Sequence, residues 1–269
     1  MTRKARFPLG LERVQARTGD RSHALPPQRP QGPLEHAAQE RARQSTPSGL
    51  GLDSVAVRQR MVQRLRDQGL RCEPVLGALA QVERHRFVDS ALATQAYEDT
   101  SLPIGLSQTI SKPSVVGHML ALLFEGAYAR THGDLGRVLE IGTGCGYQAA
   151  LLALLSRNVV SIERLRALHD KARDNLAHAR RGDLRLVFGD GRHGHAPRAP
   201  YQGIVAAAGG EDVPAAWLEQ LDVGGRLVAP MHDAASGGQV LLVVDRGPQG
   251  LVTRRLDAVH FVPLKSGTA

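Results

Sequence analysis

The sequence predicts an α/β chain: a Rossmann-like, doubly wound sheet with its last strands partly antiparallel, preceded by a helical lead-in. Three observations carry this. From Arg137 onward, short apolar runs alternate with helix-length amphipathic segments. A glycine turn, Gly142 to Gly146, directly follows the first of these runs. The last two runs, "QVLLVVDR" and "LVTRRLDAVHFVPL", are joined by the turn "GPQG" with no helix between them, so at least one must reverse direction.

Taken in order, residues 1–50 come first. They hold nine Lys/Arg against four Asp/Glu, so +5 of the chain's +8 lies in this stretch. It is rich in Pro, Gln and Ser ("ALPPQRPQGP", "QSTPSG") and poor in large apolar residues, and it is read as a disordered basic extension. An Arg-rich, acid-poor leader could also be an organellar transit peptide, but no amphipathic helix stands out to support that. Residues 51–269 are read as the folded domain, with 51–112 as lead-in and loop and 113–269 as the sheet. In "SVAVRQRMVQRLRDQGL", Val57, Met61 and Leu65 share a helical face and Gly69 is the stop. "EPVLGALAQVERHRFVDSAL" reads as one or two short helices with Pro74 in a first turn. "YEDTSLPIGLSQTIS" is turn-rich and reads as a loop. Then "RVLEI", "NVVSIE", "LRLVFGD", "YQGIVAAA" and "GGRLVAP" read as strands. "YQAALLALLSR", "RLRALHDKARDNLAHAR" and "VPAAWLEQL" read as the helices between them.

Composition narrows the classes. An apolar fraction of 42% supplies a core, and no run is long enough for a membrane span. No basic stretch leads into an apolar one at the N-terminus, so no secretory signal is expected. Cys72 and Cys145 stand alone, which fits a reducing, cytoplasmic setting without a zinc site. His193 and His195 form an HxH in a Gly-rich loop, too few donors for a metal reading. The expected state is a monomer that acts without metal, membrane or nucleic acid, since most of the excess charge is in the extension.

The glycine turn carries the chemistry. Gly142-Thr143-Gly144-Cys145-Gly146 is GxGxG, with Tyr147 where a dinucleotide fingerprint requires glycine. Glu140 lies at the end of the preceding strand. Glu163 ends the next strand 21 residues beyond Gly142, where an acid accepts hydrogen bonds from ribose hydroxyls. Asp190-Gly191 follows the third strand, with Asp190 placed to hold an adenine amine. No GK[ST] follows, so a triphosphate is not expected. A glycine floor lined by acids, without basic phosphate ligands, suits S-adenosyl-L-methionine, which brings ribose hydroxyls, adenine, an ammonium and a sulfonium. An unrelated Rossmann-like domain is the alternative at this point.

From about residue 54 to 265 the chain resembles the protein-L-isoaspartate (D-aspartate) O-methyltransferase family. The resemblance lies in "LPIGLSQTIS" (102–111), "VLEIGTGCGYQAALLA" (138–153), "VVSIE" (159–163), "GDG" (189–191), "LDVGGRLVAP" (221–230) and "VHFVPL" (259–264). It implies a class I S-adenosylmethionine-dependent methyltransferase fold with a seven-stranded sheet. It also implies methyl transfer to the α-carboxyl of isoaspartyl (and D-aspartyl) residues in damaged proteins. The active-site serine of the family's TIS loop falls on Ser111. The cofactor-binding set is then Thr109, Ile110, Glu140, Gly142, Thr143, Gly144, Gly146, Glu163, Asp190 and Gly191. Two positions depart from the family pattern. Ser114 stands where an aromatic residue or histidine is usual, and Gly209-Gly210 where a proline often follows the fourth strand.

An acceptor carboxylate is ionised at pH 7, so the chain need supply alignment rather than a base. Ser111 and Thr109 can supply it, with Pro113 starting the helix that anchors the loop and Lys112 beside them. Ser111 could instead be only a helix cap. Two rival activities stay open on sequence alone: a nucleic-acid or other S-adenosylmethionine-dependent methyltransferase, and a non-catalytic module that binds the cofactor.

Overall fold

The computed structural model describes residues 55–177 and 183–269. The reading of 1–50 as an extension, the first residue of the 54–70 helix reading and the C-terminal end of the 164–180 helix reading lie outside the described residues.

The lead-in is helical. α1 (Val55–Asp67) buries Arg58, Met61 and Leu65, while Val57 is only half-buried at the margin of the core. It ends where Gly69 takes φ 106 and the Leu70 amide reaches back to the Leu65 carbonyl. α2 (Glu73–Gln81) carries Pro74 in its first turn, and a 3-10 turn, Arg84–Phe87, follows.

The segment read as a loop holds a short antiparallel hairpin instead, β1 (Leu102–Gly105) and β2 (Gln108–Ile110). Its two-residue turn puts Leu106 at φ 52 and Ser107 at φ 57. Such turns normally announce themselves with Asn-Gly or Asp-Gly, and Leu-Ser gives no such signal. After the hairpin come α3 (Pro113–Phe124) and the short α4 (Ala127–His132).

The sheet then builds as β3 (Arg137–Ile141), α5 (Tyr147–Leu155), β4 (Asn158–Glu163), α6 (Arg166–Leu176) and β5 (Asp183–Phe188). It continues through β6 (Tyr201–Ala206), α7 (Ala215–Gln220), β7 (Leu221–Asp233), β8 (Gly238–Gly247) and β9 (Gly250–Val259). The seven strands lie in the order β5-β4-β3-β6-β7-β8-β9. β3 through β7 pair in parallel, and both β7–β8 and β8–β9 are antiparallel. The chain therefore works outward from β3 to β5, returns to β6 and works outward again. The switch point lies between β3 and β6, and a crevice opens there beyond the strands' carboxyl ends. Residues 260–264, which read as strand, leave β9 and dock through an isolated bridge between Pro263 and Gly209.

Period-two alternation sorts the core. Val138 faces the layer that holds α3, α5 and the lead-in, whereas Leu139 and Ile141 face Trp217 and α7. Glu140 shares the face of Val138, so a carboxyl enters the core between strand and helix.

Gly146 joins the glycine turn to α5 at φ 93, and a Cβ there would lie 2.9 Å from Leu176 of α6. Gly133, which ends α4, has φ 74 with nothing within 4 Å of a Cβ. Gly146→Ala should therefore lose about 2–4 kcal/mol, combining backbone strain with overpacking, and Gly133→Ala about 1 kcal/mol from strain alone. Chemical denaturation of the two variants beside the parent chain checks the order.

Candidate functional site

Two cavities lie side by side at the carboxyl edge of the sheet. The first, of about 430 Å³, is floored by Gly142 and Gly144 and walled by Glu163 and Gly191. Leu106 to Thr109 of the hairpin and Val262 to Lys265 of the C-terminal segment cover it. The second, of about 420 Å³, takes in Ser111, Lys112, Val115, His260 and Phe261. Thr109, Ala207 and Val262 belong to both linings and mark where the cavities adjoin.

The glycine turn is built by the end of β4. The amides of Gly142 and Thr143 both donate to the Ile162 carbonyl, at 2.9 and 3.2 Å. The Gly144 amide donates to one oxygen of Glu163 and the Leu165 amide to the other, each at 2.9 Å. These bonds leave each carboxylate oxygen further acceptor capacity toward the cavity it lines. Small residues are required around the floor. A Cβ on Gly191 would come within 2.5 Å of Ile141, and Gly142 holds φ 90, which side chains resist. Trp217, wholly buried, fixes Gly191 by donating Nε1–H to its carbonyl at 2.8 Å.

The other acids sit differently. Glu140 is wholly buried beneath the turn and lines neither cavity. Its carboxyl accepts from Ser161 Oγ, which is 2.6 Å from Thr143 Oγ1, so Thr143 supports the turn from below. Burial pushes the Glu140 carboxyl up to about 8. Asp190 caps the turn after β5, accepting from the Arg192 amide at 2.9 Å and the Gly267 amide at 2.6 Å. It ties down the C-terminal segment and does not line the first cavity, although the adjoining Gly191 does.

In the hairpin, Ile110 is buried and pairs with Leu102, and the exposed Thr109 lines both cavities. Ser111 is not the helix cap. The N-cap of α3 is Lys112, and the Asp99 carboxylate takes the Ser114 amide at 2.8 Å. Among the described residues, the Ser111 hydroxyl makes no hydrogen bond and is left to the cavity it lines.

The Gly209-Gly210 departure has a structural use. The Gly209 amide and carbonyl pair with Val262 and Leu264, at 2.8 and 2.7 Å. A Cβ on Gly209 would strike Gln239, whose amide side chain holds the Phe261 backbone in both directions. This places Phe261 to Leu264 across the junction of the cavities. Gln239 carried no sequence signal. Neither did Arg84, a wholly buried arginine behind the Ser111 loop. Cys145 is a buried filler of the turn. Among the described residues no three His, Cys, Asp or Glu side chains gather as a metal site, and no helix is long and apolar enough to cross a membrane.

A parallel-then-antiparallel seven-stranded sheet with a glycine turn after β3 and an acid ending β4 defines a class I S-adenosylmethionine-dependent methyltransferase. Its relatives narrow this further. The family model described as protein-L-isoaspartate(D-aspartate) O-methyltransferase matches residues 56–269. A Methylibium petroleiphilum protein named protein-L-isoaspartate O-methyltransferase is 62% identical over 98% of this chain and 96% of its own. A solved protein-L-isoaspartate O-methyltransferase superposes with a TM-score of 0.68 at 26% identity, covering 77% of this chain and 65% of that one. A Plasmodium falciparum chain assigned to the same kind of enzyme, in complex with S-adenosyl-L-homocysteine, shares the fold. Its TM-score is 0.65 at 21% identity, over 77% of this chain and 98% of its own. The chain belongs to the protein-L-isoaspartate (D-aspartate) O-methyltransferase family.

The raised Glu140 group gives a pH signature. Between the ordinary carboxylate range and about 8, the folded chain keeps a proton that the unfolded chain has released, so stability falls as pH rises through that window. Glu140→Gln has no such titration. Its melting temperature relative to the parent should climb from about pH 5 to about pH 8 and then level off. Thermal scans across that range check it, and a constant difference would mean that Glu140 titrates in the ordinary range.

Proposed function

We propose that this chain is a protein-repair enzyme. It transfers a methyl group from S-adenosyl-L-methionine to the α-carboxyl of L-isoaspartyl and D-aspartyl residues, with the first cavity as the cofactor site and the second as the acceptor site. The observation that carries this assignment is the shared lining. At Thr109, Ala207 and Val262 a cavity floored by glycines and an acid adjoins one that contains Ser111 and Lys112.

The residues present fit the cofactor. The turn at Gly142 and Gly144 leaves room that side chains would fill, and Glu163 retains acceptor capacity for ribose hydroxyls. When bound, S-adenosyl-L-methionine supplies an electrophilic methyl on a sulfonium. Gly142, Gly144, Glu163 and Gly191 would hold it, with Thr109 at the junction of the cavities, while Ile110, Glu140, Thr143, Gly146 and Asp190 would shape the site around them.

On the acceptor side the carboxylate is ionised at neutral pH, so the chain needs no general base. Ser111 Oγ, free of other bonds, donates to one carboxylate oxygen and leaves the other to react. Lys112 and His260 line the same cavity beside Ser111. Phe261 and Val262 limit water, and the gain comes from orientation. Ser114 belongs to neither cavity lining. A reducing, cytoplasmic setting fits the two free cysteines.

The test is methyl incorporation into an isoaspartyl peptide beside its aspartyl twin, with two variants. Ser111→Ala should retain affinity for S-adenosyl-L-homocysteine and lose about 1–3 kcal/mol of transition-state stabilisation in kcat/KM. Glu163→Gln, which can still accept from one of its two backbone amides, should lose about 1.5–3 kcal/mol of cofactor binding by calorimetry. Equal methylation of both peptides, or unchanged kcat/KM in Ser111→Ala, would remove this assignment.

A further inference from the structure

Arg84 lies where the lead-in, the acceptor loop and the glycine turn meet, yet it lines neither cavity. It opens the 3-10 turn Arg84–Phe87, and its side chain is wholly buried. A buried guanidinium is costly to keep unless its donors are satisfied. Among the described residues no carboxylate forms a salt bridge with it, its hydrogen bonds go to main-chain carbonyls, and its other terminal nitrogen, Nη1, makes none. Nε donates to Ala96 at 2.7 Å, and one terminal nitrogen donates to Ser111 at 2.8 Å and to Thr100 at 3.4 Å. Ala96 and Thr100 belong to the approach to the hairpin, and Ser111 follows its second strand. One planar group thus ties both ends of the segment that carries Thr109 and Ser111.

The same guanidinium stacks on the cofactor side. Its carbon lies 4.8 Å from the ring centroid of Tyr147, the first residue of α5 directly after Gly146. Phe87 meets the same ring edge-on, with centroids 5.6 Å apart. An aliphatic side chain would fill this volume at lower cost. What it could not do is hold three carbonyls in fixed directions while stacking on a ring.

We propose that Arg84 is a positioning residue for methyl transfer: it fixes the Ser111 main chain against the first turn of α5, and so holds the acceptor serine in register with the glycine turn. This rests on the reading of Ser111 as the acceptor-orienting residue. The glycine turn itself is held independently by the Ile162 carbonyl and the Glu163 carboxylate. Loss of Arg84 therefore separates the two halves of the site rather than dismantling both.

The test uses the full chain with Arg84→Lys and Arg84→Gln. Lysine keeps the charge but offers a point donor on a flexible stem, and glutamine keeps one planar donor without charge. Turnover of an isoaspartyl peptide is counted per site that binds S-adenosyl-L-homocysteine, so partial unfolding does not enter the rate. Both variants should bind S-adenosyl-L-homocysteine within about threefold of the parent, while kcat per site falls about tenfold or more. Amide exchange over residues 100–112 should quicken more than over 138–146. A kcat per site within about twofold of the parent in both variants overturns the proposal, because Arg84 is then only a support of the fold. Loss of S-adenosyl-L-homocysteine binding by both overturns it as well, because the cofactor half then depends on Arg84. Ser111→Ala run in parallel separates the two levels. If it keeps full turnover, the reading of Ser111 has failed. If it is slow while both Arg84 variants are not, only the role of Arg84 has failed.

Discussion

The carboxylate of Glu163 is the constraint on which the site depends. It ends β4 almost fully buried and holds the amides of Gly144 and Leu165, one on each oxygen. The neighbouring Ile162 carbonyl takes the Gly142 and Thr143 amides. The turn after β3 is therefore shaped by the strand beside it, and the parallel register of Ile141 with Ile162 brings the two ends level. The three glycines of the turn accept left-handed conformations, φ 57 to 93, that other residues resist. Turn, acid and register together leave an open floor at the switch point of the sheet.

What distinguishes this domain from a bare nucleotide-binding sheet is the cover. The β1–β2 hairpin comes from before the sheet and the Phe261–Leu264 segment from after it, and they meet over the switch point. Each is held by groups set well back from the cavities: Arg84 behind the Ser111 loop, and Gln239 with Gly209 behind the Phe261 segment. Lys171 on α6 adds a bond to the Ile104 carbonyl at 3.0 Å and pins the hairpin from the other side. The cover divides the crevice in two, and the division suits a reaction between a cofactor and a large polypeptide that must meet at one carbon.

Much of this was legible in the sequence because parallel strands buried on both faces read as unbroken apolar runs. "RVLEI", "NVVSIE" and "YQGIVAAA" each proved to be a strand within a residue or two of its reading. The glycine turn and Glu163 were legible because their spacing is local. The hairpin was missed because its turn uses Leu106 and Ser107, residues without turn character. The roles of Glu140 and Asp190 depend on depth, which a sequence does not report. Glu140 lies one residue before the end of β3 and Asp190 two beyond the end of β5, but one lies under the turn and the other is taken up by Gly267. Arg84 and Gln239 act on main-chain groups 22 or more residues away in the key bonds, Arg84 to Ser111 and Gln239 to Phe261, and nothing in a linear pattern marks such bonds.

The central claim is that cofactor and acceptor occupy adjoining cavities that meet at Thr109, Ala207 and Val262. The most direct measurement is a crystal structure of the full chain with S-adenosyl-L-homocysteine and an isoaspartyl peptide bound together. The account predicts the nucleoside over Gly142 and Gly144 with its ribose on Glu163, and the peptide carboxylate within hydrogen-bond distance of Ser111 Oγ, facing the cofactor sulfur across that junction. A peptide carboxylate seated away from Ser111, or a nucleoside outside the cavity floored by Gly142 and Gly144, would contradict it.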